Sequence, residues 1–166
     1  MHITDDASRY SHVYCLTTKD KAFETFKQFS ASIKQQRNWD TNAINLYSTE
    51  PDCKIRGVRM DGDSVFNSKE FTDWMKDRGI KIQVTSRDCP QDNGRAERYG
   101  RSLVEMARCL LAHSGLPKGF WKNAIECACY IKNRLPHKSI SSTPYTLWFG
   151  EKPDLSGLRA FECLAS

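Results

Sequence analysis

The sequence has no apolar run that approaches the roughly 18 to 20 residues a membrane-spanning helix requires. Its first residues, Met1-His2-Ile3-Thr4-Asp5-Asp6, contain neither a basic segment nor an apolar one, so no secretory signal is visible. Internal repeats and low-complexity tracts are also missing. These absences argue against a helical membrane protein and against a repeat architecture, and no membrane partner is expected.

The cysteines lack the paired spacing of a metal site. There are seven, an odd and scattered set without a secretion signal, which indicates reduced thiols in an intracellular compartment. Cys127-Ala128-Cys129, with His113 and His137 at a distance, does not have the spacing of a zinc site. We therefore expect these cysteines to pack helices.

Length and composition fit one soluble globular domain. A chain of 166 residues is long enough for a single core, and 39% hydrophobic residues with 11% aromatics are typical of a folded protein. The formal net charge of +5 permits a polyanionic partner without requiring one.

Hydrophobic periodicity predicts an α/β domain with a mixed sheet. The turn formers Asp5-Asp6-Ala7-Ser8 indicate a hairpin for which only Met1 to Thr4 remain as the first arm. The predicted strands are 8–18, 54–60 and 80–86, and the predicted loops are 38–52 and 87–93. Helices are predicted over 20–37, from the Ser68 cap to Gly79, from the 87–93 loop to Ser114, and over 117–135. The first has an apolar stripe at Ala22, Phe26, Phe29 and Ile33, and the last has apolar positions at Trp121, Ala124, Ile125, Ala128 and Ile131. The tail from Thr143 to Ser166 is predicted to be packed but irregular, with Trp148, Phe149, Leu155, Leu158 and Phe161 as its apolar residues.

Two carboxylates stand at the ends of separate elements. Asp61 follows the short strand at 54–60, and Glu97 lies 36 positions later at the predicted start of the long helix. Two acidic side chains delivered by two elements, with basic residues around one of them, are what a divalent metal and a phosphodiester require. The alternative is local: Glu97 also fits a helix-capping glutamate, and Asp61-Gly62 also fits a tight turn.

The long helix separates an apolar arc from a basic face. A helical wheel places Ala96, Tyr99, Leu103, Met106, Ala107 and Leu110 on one arc. Arg95, Arg98, Arg101 and Arg108 lie off it, where they suit a phosphate backbone. The Asn93-Gly94 turn adds backbone N–H groups at the predicted helix N-terminus. A solvated face with ion pairs such as Arg101–Glu105 remains the alternative.

The segments around the two acidic residues resemble the retroviral-type integrase core, above all the integrases of copia-type long-terminal-repeat retrotransposons. The likeness rests on Arg59-Met60-Asp61-Gly62, the 35 residues between the two acids, and Pro90-Gln91-Asp92-Asn93-Gly94-Arg95-Ala96-Glu97-Arg98. It continues in the same order through nearly the whole chain, in Asp5–Tyr10, Glu105–Arg108, Gly115–Trp121, Asn133–Pro136, Thr143–Trp148, Gly150–Leu155 and Leu158–Phe161.

The resemblance implies a ribonuclease-H-like mixed sheet flanked by helices, in which three carboxylates hold two Mg²⁺ or Mn²⁺ ions for in-line attack on phosphorus. It makes Asp61 and Glu97 metal ligands and catalytic residues. The family's first catalytic aspartate lies on a strand before the Asp5-Asp6 turn, so this aspartate and the first strand are both expected to be missing here. The loss of one of three ligands is expected to weaken metal binding severely. Residues 90–93 would belong to a mobile loop over the site. Asn93, Arg95, Arg98 and Arg101 are the candidates for DNA contact.

The implied protein acts on DNA. Residues 1–136 would form the catalytic core and 137–166 a C-terminal strap; the partners would be the terminal-repeat ends and target DNA, with a homo-oligomer allowed and the nucleus as location. Two alternatives compete with an active enzyme that carries out 3′-end processing and strand transfer. One is an inactive remnant that only binds DNA or protein partners. The other is an interaction module whose helices, 94–114 and 117–135, dock another protein.

Overall fold

Strands and helices alternate along the chain, as the sequence predicts. The structure, a computed structural model, describes residues 1–36, 55–61, 66, 68–85 and 90–161, and of residues 34–36, 61, 85, 90–93, 95 and 96 only the backbone. The strands are β1 (His2–Thr4), β2 (Ser11–Val13), β3 (Gly57–Asp61) and β4 (Lys81–Thr85). The helices are α1 (Lys21–Gln36), α2 (Lys69–Asp77), α3 (Pro90–Ser114), α4 (Trp121–Arg134) and α5 (Pro144–Phe149), with a 3₁₀ turn at Lys118–Phe120. The predicted loop at 38–52, residues 87–89 and Gly62 lie outside the described residues.

These elements form two units. The first combines Met1–Cys15 with Gly94–Ser166, and the second is Leu16–Asn93. The first unit therefore contains the β1–β2 hairpin and most of α3 with α4 and α5, whereas the second contains α1, α2 and the β3–β4 pair. The prediction of a core at 1–136 and a strap at 137–166 stays a prediction.

The predicted hairpin is present at the start of the first unit. β1 and β2 pair antiparallel, with His2 opposite Val13 and Thr4 opposite Ser11. The turn is held by Asp5, whose carboxylate accepts hydrogen bonds from the backbone N–H and the hydroxyl of Ser8, both at 2.7 Å. β2 covers only three residues and is therefore much shorter than the strand predicted over residues 8–18.

The core of the first unit lies between α3 and α4. It consists of Tyr99, Leu103 and Ala107 of α3 and Ala124, Ile125, Ala128 and Cys129 of α4. Three alanines among these residues leave little side-chain bulk between the helices. The predicted apolar arc of α3 is confirmed at these α3 positions, and the prediction that Trp121 belongs to the apolar face of α4 is wrong, since it is 37% exposed.

Asn133 joins α4 to the hairpin. Its amide oxygen accepts from the backbone N–H of Ser11 at 2.9 Å, and its amide nitrogen donates to the Ser11 carbonyl at 2.8 Å. The Cys129 thiol donates to the same carbonyl at 3.2 Å. Asn133 is 3% exposed, so these bonds satisfy polar groups of the β2 backbone that water does not reach. The expectation that the cysteines pack helices is confirmed at Cys129.

In the second unit, two helices pack through aromatic rings beside a parallel strand pair. β3 and β4 run parallel, from Gly57 opposite Lys81 to Asp61 opposite Thr85. The apolar stripe predicted for α1 is confirmed, because Ala22, Phe26, Phe29 and Ile33 are all buried. Phe26 lies against Phe71 of α2 with ring centroids 5.7 Å apart. The Ser68 hydroxyl caps α2 by accepting from the Phe71 N–H, as predicted.

The tail differs from its prediction. Residues 144–149 form α5, capped by the Thr143 hydroxyl and ended by Gly150 at φ 80°. Trp148 is buried as expected. The prediction that Leu155 and Leu158 pack is wrong, because they are 49% and 42% exposed.

The long helix begins earlier than predicted. The sequence placed Pro90–Asn93 in a loop and Asn93-Gly94 in a turn, but α3 is helical from Pro90 onward and Gly94 is an interior position. Proline suits the first position of a helix because its missing N–H has no intrahelical partner there. Among the described residues, no helix is long and apolar enough to cross a membrane.

Candidate active site and nucleic-acid interface

Asp61 is the last residue of β3. Its backbone pairs with Thr85 at the carboxyl end of the parallel β3–β4 pair. In open α/β sheets this end of parallel strands is the usual place for a ligand-binding crevice. The Asp61 side chain itself lies outside the described part of the structure, so only its position on the strand is established.

Glu97 lies on the surface of α3. It follows the first residue of the helix by seven positions, which places it in the third helical turn rather than the first. The reading of Glu97 as a capping residue is therefore wrong, because a capping glutamate belongs to the first turn. Its carboxylate is exposed, and no residue whose side chain is described forms a hydrogen bond or ion pair with it.

The two acidic residues belong to different units of the chain. Asp61 is part of Leu16–Asn93, and Glu97 is part of the unit that begins again at Gly94. The shared cation between Asp61 and Glu97 therefore stays a prediction.

Arginines of α3 lie on its exposed side. Arg98, Arg101 and Arg108 are all exposed. The guanidinium of Arg98 folds back over the preceding turn, because a side-chain carbon added to Gly94 would lie 3.0 Å from Arg98 Nη1. The alternative ion pair between Arg101 and Glu105 is absent among the described side chains. These arginines are thus available to an external anion.

The remaining candidates for DNA contact cannot be placed as side chains. Asn93 and Arg95 lie in α3, but the described part of the structure includes only their backbone. The expectation that residues 90–93 form a loop over the site is wrong for this structure, since they form the first turn of α3. The roles of Asn93 and Arg95 in DNA contact stay predictions.

Tyr99 anchors the part of α3 that carries Glu97. The imidazole of His2 stacks on its ring with centroids 4.9 Å apart and planes 3° from parallel. On α4, Lys132 Nζ lies 4.4 Å from the Tyr99 ring centroid and donates a hydrogen bond to Ser102 Oγ at 2.5 Å. Burial, with smaller contributions from the N-terminal ammonium and Lys132, lowers the pKa of His2 to about 4. His2 is consequently neutral at pH 7.

Sequence comparison identifies the relatives of the chain. It is 35% identical over 162 residues to the retrovirus-related Pol polyprotein from transposon TNT 1-94 of Nicotiana tabacum, a match that covers 97% of this chain and 11% of that protein. The Pol polyprotein from transposon RE2 of Arabidopsis thaliana is 29% identical over 163 residues, 96% of this chain and 10% of that protein. The chain is a homologue of plant copia-type retrotransposon Pol polyproteins.

This retrotransposon homologue spans only about a tenth of the length of its relatives. No protein-family model matches it. Among solved structures, it resembles the HTLV-2 integrase catalytic core domain in complex with magnesium, with a TM-score of 0.59, 20% identity, and coverage of 87% of this chain and 80% of that one. It also resembles a chain of the simian T-cell lymphotropic virus intasome in complex with PP2A regulatory subunit B56 gamma, with a TM-score of 0.62, 16% identity, and coverage of 94% and 49%. The predicted ribonuclease-H-like α/β fold is thereby confirmed.

Asp61 and Glu97 are carboxylates, the ligand type that suits a hard divalent cation. Among the side chains that are described, no three histidines, cysteines or acidic residues converge on one point, but Asp61 is not one of these side chains. The exposed Glu97 carboxylate supplies the oxygen ligands that Mg²⁺ and Mn²⁺ prefer. Asp61 is of the same ligand type and ends a strand, so the two residues are suitable ligands.

The sequence alone did not reveal His2, Ser102 or Lys132. Their contacts with Tyr99 and with one another join residues up to 97 positions apart. Neither periodicity nor local spacing carries information about such long-range neighbours. The acidic residues were found because a family motif fixes them by local sequence.

Proposed function

We propose that this chain is the catalytic-core region of a retrotransposon integrase, which processes DNA 3′ ends and transfers them to target DNA in a metal-dependent reaction. The observation that carries the proposal is the pair of acidic residues at family spacing in a chain with the integrase-core fold. One of them ends a parallel strand, and the other is an exposed carboxylate on α3 without a partner among the described side chains.

Asp61 and Glu97 would hold the cations. When bound, Mg²⁺ or Mn²⁺ stabilises the negative charge that develops on oxygen during attack on phosphorus. The carboxylates of this chain would fix the position of the cations relative to the DNA, and Arg98 and Arg101 would bind the phosphate backbone next to them. In this proposal Asn93 and Arg95, on the same helix, contribute further contacts to DNA.

The wider assignments follow from the same proposal. Residues 1–136 would act as the catalytic core and 137–166 as a strap that follows it. The DNA partners would be the terminal-repeat ends and the target, and the location would be the nucleus. The integrase neighbours include a trimeric form and an intasome, which supports a homo-oligomer for this chain.

Nicking of a terminal-repeat duplex tests the catalytic proposal. The 166-residue chain is incubated with Mn²⁺ and a duplex labelled at the 5′ end of the strand to be cut, in parallel with Asp61→Asn and Glu97→Gln. We expect metal-dependent nicking or strand transfer by the wild-type chain and loss of at least a hundredfold in either variant, because each removes a metal ligand. Product from the wild-type chain no greater than that from Asp61→Asn would reject catalysis by this chain.

DNA binding without catalysis is the second candidate function. The exposed Arg98 and Arg101, which have no carboxylate partner among the described side chains, favour it. We expect binding of duplex DNA to weaken steeply with salt, and the double variant Arg98→Glu/Arg101→Glu to weaken it at least tenfold and to flatten the salt dependence. The charge-matched control Lys138→Glu/Arg159→Glu changes two exposed basic residues outside α3. Equal losses in both variants would contradict a specific role for α3.

A further inference from the structure

Lys132 connects α4 to the half of α3 that carries Glu97. Its ammonium donates to Ser102 Oγ at 2.5 Å and lies 4.4 Å from the centroid of the Tyr99 ring. Tyr99 and Ser102 are three residues apart on α3, so they lie on the same face in successive turns. One side chain of α4 therefore contacts α3 at two heights along the same face.

This pair of contacts restricts how α3 can turn about its axis. Tyr99 is two residues from Glu97, and a rotation of the helix by about 20° would move a carboxylate that projects about 6–7 Å from the axis by about 2 Å. Metal ligands must be held within about 0.5 Å of their productive position. A contact that prevents a rotation of about 20° thus decides whether the Glu97 carboxylate reaches a cation.

The chemistry of Lys132 indicates more than packing. Burial lowers the pKa of its ammonium, and the nearby Cys129 and Glu105 side chains oppose that shift. A desolvated charge is unfavourable, and methionine would fill a similar volume without this penalty. The ammonium, rather than the aliphatic stem, makes the hydrogen bond and the cation–ring contact that fix α3.

We propose that Lys132 is a positioning residue that sets the orientation of Glu97 by holding Tyr99 and Ser102 of α3. The proposal rests on the proposed function, because it takes Glu97 as a metal ligand. His2 stacks on the same Tyr99 ring from the hairpin, so the Glu97 segment is held from two elements of the first unit. The role of Lys132 is to act through α3, without contact to DNA or cation.

Mn²⁺ affinity in variants of the 166-residue chain tests this role. Free Mn²⁺ is measured by electron paramagnetic resonance for the wild type, Lys132→Met, Lys132→Arg, Ser102→Ala, the double variant Lys132→Met/Ser102→Ala, and Glu97→Gln. Lys138→Met is the matched control, since Lys138 is exposed and lies outside α4. Thermal unfolding of each variant establishes that the measurements are made on folded protein.

We expect Lys132→Met to weaken Mn²⁺ binding about tenfold, which is the lower end of the effect seen for partners that orient metal ligands in other proteins. Lys132→Arg should restore most of the affinity because it keeps a cationic donor. The double variant should lose no more than Lys132→Met alone, because both changes remove one contact. Lys138→Met should bind as the wild type does.

Comparison of the Glu97→Gln and Lys132→Met variants distinguishes failure of the positioning role of Lys132 from failure of the proposed function. If Glu97→Gln binds Mn²⁺ as tightly as the wild type, Glu97 is not a ligand and the proposed function is wrong together with this inference. If Glu97→Gln weakens binding while folded Lys132→Met matches the wild type, the positioning role alone is overturned. Equal weakening by Lys132→Met and Lys138→Met, or no recovery in Lys132→Arg, would also overturn it.

Discussion

His2 and His12 lie on the two strands of the hairpin with their rings against aromatic side chains. His2 stacks on Tyr99, and the ring of His12 meets Trp148 edge to face with centroids 5.8 Å apart. Burial lowers the pKa of each histidine from 6.5 to about 4. Both rings are therefore packed as neutral groups in the first unit.

The two histidines make stability depend on pH. An unfolded histidine takes up a proton near pH 6.5, but in the folded chain it does so only near pH 4, so the unfolded state binds more protons between these values. The unfolding free energy should be fully retained above pH 6.5 and should fall toward pH 4, by up to about 3 kcal/mol for each histidine. Urea unfolding at pH 7.5, 5.5 and 4.5 measures this fall.

A variant separates the histidines from the carboxylates, which also titrate in acid. We expect His12→Gln to reduce the loss of stability between pH 7.5 and 4.5 by about 2–3 kcal/mol. Asn123→Gln, which changes an exposed side chain of α4 that does not titrate, should leave the loss unchanged. Identical pH profiles for His12→Gln and the wild type would contradict the account of a buried neutral ring.

At the level of single residues, the candidate site residues that lie in a local sequence motif could be predicted. Asp61 and Glu97 stand out because each is embedded in a short pattern of recognisable type. Lys132 and Asn133 are adjacent on α4, yet nothing local distinguishes their roles. Their functions arise from contacts with α3 and with β2, 30 and 122 positions away.

The element that the sequence analysis missed is α5. Its signals are present: Thr143 stands at the cap, Pro144 at the first helical position, and Gly150 at the position after the end, with φ 80°. The tail was nevertheless predicted to be irregular, because the helix has only six residues. A segment this short has no full apolar period to distinguish it from an irregular tail.

The N-cap hydrogen bond of α5 should contribute measurably to the free energy of unfolding. The Thr143 hydroxyl accepts a hydrogen bond from the Thr146 N–H at 3.1 Å. We expect Thr143→Ala to lower the unfolding free energy by about 1 kcal/mol, measured by urea denaturation followed by circular dichroism. Ser141→Ala, at an exposed position before the cap, is the control and should change it by less than about 0.3 kcal/mol. A loss for Thr143→Ala as small as that of the control would contradict the capping assignment.

The start of α3 shows a limit of local sequence patterns at the element scale. Asn93-Gly94 favours a turn when considered alone, and the prediction placed the helix after it. In the structure the helix begins at Pro90 and continues through Gly94. A glycine inside a helix costs about 1 kcal/mol relative to alanine, which the hydrogen bonds and packing of a 25-residue helix can offset.

At the scale of the whole molecule, the chain is organised by pairing across long sequence distances. The first unit is assembled from both ends of the sequence, with the hairpin fixed to α4 by Asn133 and the Cys129 thiol. The order and the type of the main helices and strands were predictable, because the hydrophobic periodicity of each element lies within its own segment of sequence. The division into two units was not predictable, because no local pattern encodes which distant segments pack together.

The central claim also belongs to this scale, because it concerns two residues in different units. The most direct test is the anomalous scattering of Mn²⁺ in crystals of the 166-residue chain. Our account predicts an Mn²⁺ peak within about 2.0–2.5 Å of carboxylate oxygens from both Asp61 and Glu97. Crystals in which the Mn²⁺ peaks lie elsewhere, with the two carboxylates too far apart to share a cation, would contradict it.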